Sequence, residues 1–134
     1  MKKYNTIFVC IILITFFVGC ATLLPQSTPF PEISQEDLYG SWVNQNGMIW
    51  TISKNRIEAV IYDGSWSADI ISWTEIRRST HDTYPNGFII TFTRIEVQGS
   101  ISRDHVPNEQ ILLINRDKTD FITRSNMVYN RYKQ

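Results

Sequence analysis

From Gly40 onward, apolar and polar residues alternate in short runs that turn residues interrupt. That period of two marks strands with one buried face. The runs are Gly40 to Asn44, Met48 to Ser53, Arg56 to Tyr62, Trp66 to Arg77, Phe88 to Val97, Gln110 to Asn115, Asp120 to Arg124 and Met127 to Lys133. Asn46-Gly47, Lys54-Asn55, Asp63-Gly64, Asp117-Lys118 and Ser125-Asn126 separate them as tight turns, with a longer loop through Tyr84-Pro85-Asn86-Gly87. No helical run lies between these strands, and tight turns force sequence neighbours to pair antiparallel. Closing eight such strands removes both sheet edges. The expected fold is all-β, a small eight-stranded antiparallel up-and-down barrel. A two-layer sandwich competes, but it needs longer crossovers than any segment except 79–87 and 98–109 offers.

Alternation also assigns an inside. Met48, Trp50 and Ile52 share one face, continued by Ile57, Ala59 and Ile61, by Trp66, Ala68 and Ile70, and by Phe88, Ile90 and Phe92. Thr51, Arg56, Glu58, Asp69, Glu75, Thr91 and Thr93 fall on the other face. Gln110 to Asn115 is apolar on both faces, so its register stays open. Met48, Trp50, Ile57, Ile61, Phe88 and Phe92 are the candidate lining of a cavity for one small hydrophobic ligand. The same residues would equally make a packed core.

The first twenty residues follow another pattern. Lys2 and Lys3 precede an apolar run from Ile7 to Val18. As a helix that run spans about 18 Å, against a hydrocarbon core of about 30 Å. It is too short to span comfortably and suits the core of a signal peptide, with Gly19 as the small residue before a cut. Phe17-Val18-Gly19-Cys20 resembles the lipobox of bacterial lipoproteins, with Phe17 where leucine is commonest. The resemblance implies cleavage before Cys20, a diacylglycerol thioether on its sulfur and acylation (commonly palmitate) of its new amine. It places the chain in the cell envelope, with a membrane as its first partner. The absence of Asp at Ala21 fits outer-membrane or surface sorting. The expected division is a signal peptide over 1–19, a lipidated Cys20 with a Pro-rich tether over 20–36, and the barrel over 37–134. Pro25, Pro29 and Pro31 favour an extended spacer, and Gln35 to Tyr39 suits one helical turn with Ser34 as N-cap.

Charge and composition narrow the chemistry. The 134 residues carry 13 basic and 13 acidic side chains, and removing Lys2 and Lys3 leaves 13 − 2 = 11 basic ones. A near-balanced domain lacks the clustered positive charge of a nucleic-acid binder. Of two cysteines, Cys10 lies in the apolar run and Cys20 at the cut, which leaves the domain none for a disulfide, a thiolate metal site or a nucleophile. No serine elbow, P-loop or dinucleotide fingerprint occurs. His81 and His105 sit beside Asp82 and Asp104 in the two longest loops and read as solvated loop residues, so no metal or cofactor is expected. Asp69 and Glu75 are about 20 Å apart at about 3.3 Å per residue, too far for a glycosidase pair at about 5 to 9.5 Å. Arg77-Arg78 is a small basic spot at a strand end. An enzyme is not expected.

Leu38-Tyr39-Gly40-Ser41-Trp42 resembles the G-x-W motif that opens the first strand of lipocalins and lipocalin-like domains. In that family a helical turn precedes the motif, the tryptophan packs at the closed end, and an arginine of the last strand lies against its ring. The resemblance implies that Gly40, Trp42 and Arg131 form this cap, with Arg124 as the second choice of arginine. The lipocalin disulfide cysteines and C-terminal helix are lacking here. Two functions follow as expectations. One is a lipid-anchored envelope protein whose barrel binds a small hydrophobic ligand. The alternative is a non-enzymatic protein-binding lipoprotein, an inhibitor or envelope-assembly subunit, with a solid core and contacts around His81 to Asn86 and Ser100 to Asn108.

Overall fold

A computed structural model describes residues 28–133. The signal peptide, the lipobox and Cys20 lie outside the described residues. A turn of 3-10 helix, Gln35–Leu38, leads into eight strands: β1 Gly40–Asn44, β2 Ile49–Ile52, β3 Arg56–Ile61, β4 Gly64–Arg77, β5 Asn86–Gly99, β6 Glu109–Ile114, β7 Asp120–Thr123 and β8 Val128–Arg131. Each strand pairs antiparallel with the next, and β8 returns to β1 to close the barrel. The chain is thus an all-β, eight-stranded up-and-down barrel in the order that the alternation predicts. Closure pairs Trp42 with Arg131, Val43 with Asn130 and Asn44 with Tyr129.

The two ends of the barrel differ. The 3-10 turn, the β2–β3, β4–β5 and β6–β7 connections and the end of β8 make the lower end. The β1–β2 hairpin, the β3–β4 turn and the long β5–β6 connection make the upper one. A second 3-10 turn, Arg103–His105, lies in that connection and brings Val106 down onto the core.

Three departures from simple alternation matter. Asn86-Gly87, a strong turn signal by composition, opens β5 instead. A Cβ at Gly87 would run into the Leu112 carbonyl oxygen and lie 2.7 Å from Leu113 Cα, so glycine lets β6 approach closely here. Next, the β4–β5 ladder shifts register between Ser67 and Asp69 and again between Ile70 and Ser72. Arg94 takes a left-handed φ of 47° across from the first shift, the conformation of a bulge residue. An unpaired residue inverts every later side chain. Glu75 therefore stands opposite Phe88, on the face of that core residue, while Asp69 stands opposite Thr93 outside. The shared parity of Asp69 and Glu75 expected from uninterrupted alternation does not survive the bulge. Finally, β6 resolves with Leu112 opposite Phe88 and Ile114 opposite Asn86, both inside.

The last residues before the barrel belong to it. The Asn86 side-chain amide donates to the Pro31 carbonyl at 2.7 Å, the Arg77 guanidinium lies 5.5 Å from the Phe30 ring centre, and Ile33 packs on the core. Ser34 then caps the 3-10 turn, its N–H donating to Asp37 at 2.8 Å. Burial pushes the Asp37 carboxyl up, but the Lys118 ammonium at 2.8 Å, the Ser34 N–H and Arg131 outweigh it and hold it below the usual carboxylate range.

Candidate functional site

The lower end is closed by Trp42. Its ring is wholly buried, meets Phe121 edge-on at 5.0 Å, and donates its indole N–H to the Leu38 carbonyl at 2.8 Å. That bond satisfies a carbonyl at the end of the 3-10 turn, where none is made within the helix. Arg131 covers the outer face of the indole at 4.3 Å from the ring centre. Its guanidinium also donates to the carbonyls of Tyr39 at 2.9 Å and Asp37 at 2.7 Å. A planar fork can stack and donate at once, which a lysine cannot do. Gly40 sits beneath it with φ +117°, a conformation that side chains rarely adopt, and a Cβ there would lie 3.4 Å from the guanidinium. Arg124 is engaged elsewhere, with Glu109 at 2.9 Å. The three residues Gly40, Trp42 and Arg131 therefore meet at one end, and Arg124 does not join them.

Above Trp42 the interior is occupied by interlocking rings. Phe121 stacks on Tyr129 at 5.1 Å and 9°, and Tyr129 meets Trp50 at 4.8 Å. Trp50 meets Trp66 edge-on at 5.9 Å, and Trp66 meets Phe92 at 5.9 Å. Each such pair adds about 0.5 to 1.5 kcal/mol beyond area burial. Of the six candidate cavity residues, Trp50, Ile57, Phe88 and Phe92 are buried in this core. Met48 and Ile61 instead line a recess of about 250 Å³ at the upper end, with Trp66, Ile101, His105 and Val106.

At the upper end lies a group of donors of which alternation singled out only Trp50; Met48 borders the recess just described, and Asn44 and Met127 border a separate one. The Trp50 indole donates to Met48 Sδ at 3.1 Å. The Tyr129 hydroxyl reaches Met48 Sδ at 3.0 Å and Met127 Sδ at 3.4 Å. Asn44 Nδ2 donates to Met127 Sδ at 2.7 Å, while its Oδ1 accepts the Asn46 and Met48 N–H groups at 2.9 Å each and so holds the β1–β2 hairpin. Burial pushes the Tyr129 phenol up to about 12, which keeps it a donor at any ordinary pH. One signal was available: Tyr129 shares strand parity with Arg131, and Asn44 with Trp42.

The remaining candidates are dispersed. His81 belongs to the lower β4–β5 loop and His105 to the upper 3-10 turn, at opposite ends. Arg77 pairs with Glu75 at 3.0 Å and Arg78 with Asp82 at 3.8 Å, so the basic spot is neutralised locally. On the outer wall Arg56 bridges Glu58 at 3.1 Å, Asp69 at 3.2 Å and Glu96 at 3.8 Å. Exposed pairs of this kind contribute about 0 to 1 kcal/mol each, and Arg56, Glu58 and Glu96 border, with Ser65, Ser67 and Gln98, an open recess of about 240 Å³ on the outer wall. Comparison of the chain with protein-family models, with curated proteins and with solved structures finds no match.

Proposed function

We propose that this is a bacterial lipoprotein of the cell envelope, anchored through a lipid on Cys20, whose lipocalin-like barrel is a non-enzymatic, protein-binding module. The observation that carries the choice over ligand transport is the filled interior: Trp50, Trp66, Phe92, Phe121 and Tyr129 occupy the space where a lipocalin would hold its ligand. Tether geometry adds a direction. The segment around Pro31 joins the lower end, and Cys20 precedes it by 31 − 20 = 11 positions. Eleven residues reach at most about 36 to 40 Å when fully extended. The lower end thus stays within that reach of the membrane, and the upper end, with the loop Ser100–Asn108 and the fully exposed Tyr62, is the end opposite the tether. Tyrosine is a frequent anchor at protein interfaces. That end is the docking face.

A second reading keeps a ligand, and the recess beneath Val106 is what favours it. Its roughly 250 Å³ falls under the about 300 to 1,000 Å³ usual for ligand pockets. It suits a small apolar group only.

Two outcomes test these claims. Cys20→Ser should release the protein from membranes and abolish labelling by a radioactive fatty acid; a wild type that stays on membranes unlabelled would sink the anchor. Titration with fatty acids, retinoid-like and haem-like compounds should leave the intrinsic tryptophan fluorescence without a saturable response. A saturable response that Trp50→Phe alters would replace the protein-binding reading with the ligand one.

A further inference from the structure

The barrel closes through all eight strands, yet β4 outruns its neighbour. Its ladder with β3 ends at the Arg56–Asp69 pair, and the last bond to that side runs from the Ile70 N–H to the Asn55 carbonyl at 2.8 Å. From there to Arg77 only β5 lies beside it. On β5 the Phe92 N–H goes to the Asn108 carbonyl on the β6 side, and just past β4 the Arg78 N–H goes back to Pro85. Backbone groups alternate sides along a strand. Ser72, Thr74 and Ile76 therefore bond to β5, while the N–H and C=O groups of Trp73, Glu75 and Arg77 point away from it. Among the described residues these three make no backbone bond on that open side. A groove of about 410 Å³ borders it, lined by Glu75 with Ser34, Glu36, Tyr39 and Lys54. The Glu75 and Arg77 side chains stay 44% and 61% exposed.

An unpaired edge is a template for another strand. A lone charge on it would discourage pairing, but Glu75 and Arg77 carry opposite signs two positions apart. We infer that this edge pairs antiparallel with the same edge of a second copy, about a two-fold axis at Ile76. Each Glu75 then stands opposite the partner's Arg77, each Arg77 opposite the partner's Glu75, and the two Ile76 residues meet at the axis. Opposite charges directly across a ladder stabilise it, and like charges do the reverse. Other registers lose the match: centred on Glu75, two carboxylates meet, and centred on Thr74, Arg77 faces the partner's Ile71. The segment before the barrel is a poorer occupant, since Pro25, Pro29 and Pro31 have no N–H to donate. As β4 runs from the upper end to the lower one, the pairing joins two barrels by their lower rims and leaves both upper ends free. It depends neither on the lipid anchor nor on the upper docking face.

The test uses the full chain in detergent, with Cys10 and Cys20 replaced by Ser so that an introduced cysteine is the only thiol. With Ile76→Cys, mild oxidation should link two chains. Residues in a non-hydrogen-bonded pair have Cα atoms about 4.5 Å apart, within the about 4.4 to 6.8 Å of a disulfide. Thr74→Cys should not link, its two copies lying about 14 Å apart along the strands. Adding Glu75→Arg to Ile76→Cys should cut the linked fraction about tenfold, as should Arg77→Glu, and the two reversals together should restore it. Retained β-type circular dichroism separates lost pairing from lost folding. Should a single reversal unfold the chain, the contrast between Ile76→Cys and Thr74→Cys decides alone. Linking through Thr74→Cys, folded charge reversals without effect, or a chain unlinked through Ile76→Cys that sediments as a monomer would overturn the proposal.

Discussion

Gly87→Ala destabilises the barrel by about 4 kcal/mol or more, a cost that only a few mechanisms reach. The backbone of Gly87 needs no special φ; the obstacle is its neighbour. The added methyl would collide with the Leu112 carbonyl oxygen and sit 2.7 Å from Leu113 Cα, both parts of the β6 backbone. A flexible side chain could swing away, but a paired strand cannot. Relief requires β5 and β6 to part where Gly87 faces Leu113 and Phe88 faces Leu112, which opens the core beside Phe88. Gly47→Ala is the matching control. That glycine has φ +78° with nothing within 4 Å of a Cβ, so its cost is backbone strain alone, about 1 to 2 kcal/mol. Denaturant unfolding of both variants supplies the comparison. Near-equal losses would mean that β5 and β6 do not approach as closely as their register implies.

That glycine also shows where a sequence stops being readable. Asn-Gly is a turn signal because both residues tolerate positive φ, but glycine also serves where two backbones crowd, and composition cannot separate the two uses. Here Asn86 is pinned by the Pro31 carbonyl and Gly87 by β6, both distant in sequence. The bulges in β4 and β5 are similar. Nothing in Ile70-Ile71-Ser72 announces the register shift that moves Glu75 to the face of Phe88, since a bulge is settled by how two long strands coil together. Strand count, order and most inward residues were legible because they follow from local alternation and turn spacing. Trp50, Trp66, Phe88 and Phe92 all lie inside. Alternation names which residues point inward but not whether they touch. The choice between cavity and solid core depended on ring-to-ring distances, and the Met48–Tyr129–Met127 contacts on side chains from β8 and both hairpins.

The joint between the first and last strands should carry the other large effect. Trp42→Ala removes a wholly buried ring and is expected to cost about 3 to 5 kcal/mol. It also leaves the Leu38 carbonyl without its 2.8 Å donor, a further burden of about 1 to 3 kcal/mol if water cannot reach it. For a small domain stable by about 5 to 15 kcal/mol, that approaches the whole margin. Arg131→Ala should cost less, about 1 to 3 kcal/mol, through lost stacking and two lost carbonyl bonds. The double variant should fall short of the sum by about 0.5 to 2 kcal/mol, because the ring–guanidinium contact can be removed only once. Trp42→Phe offers a milder background if the alanine variant does not fold. Arg131→Lys separates the contributions: it keeps the charge but loses the fork that reaches Tyr39 and Asp37 while covering the indole. If charge alone mattered, lysine would restore the wild-type midpoint. A midpoint close to that of Arg131→Ala would assign the closure to planar stacking and paired donation. A coupling energy of zero would mean that β1 and β8 do not bring these two side chains together, and the closed barrel would lose its main seam.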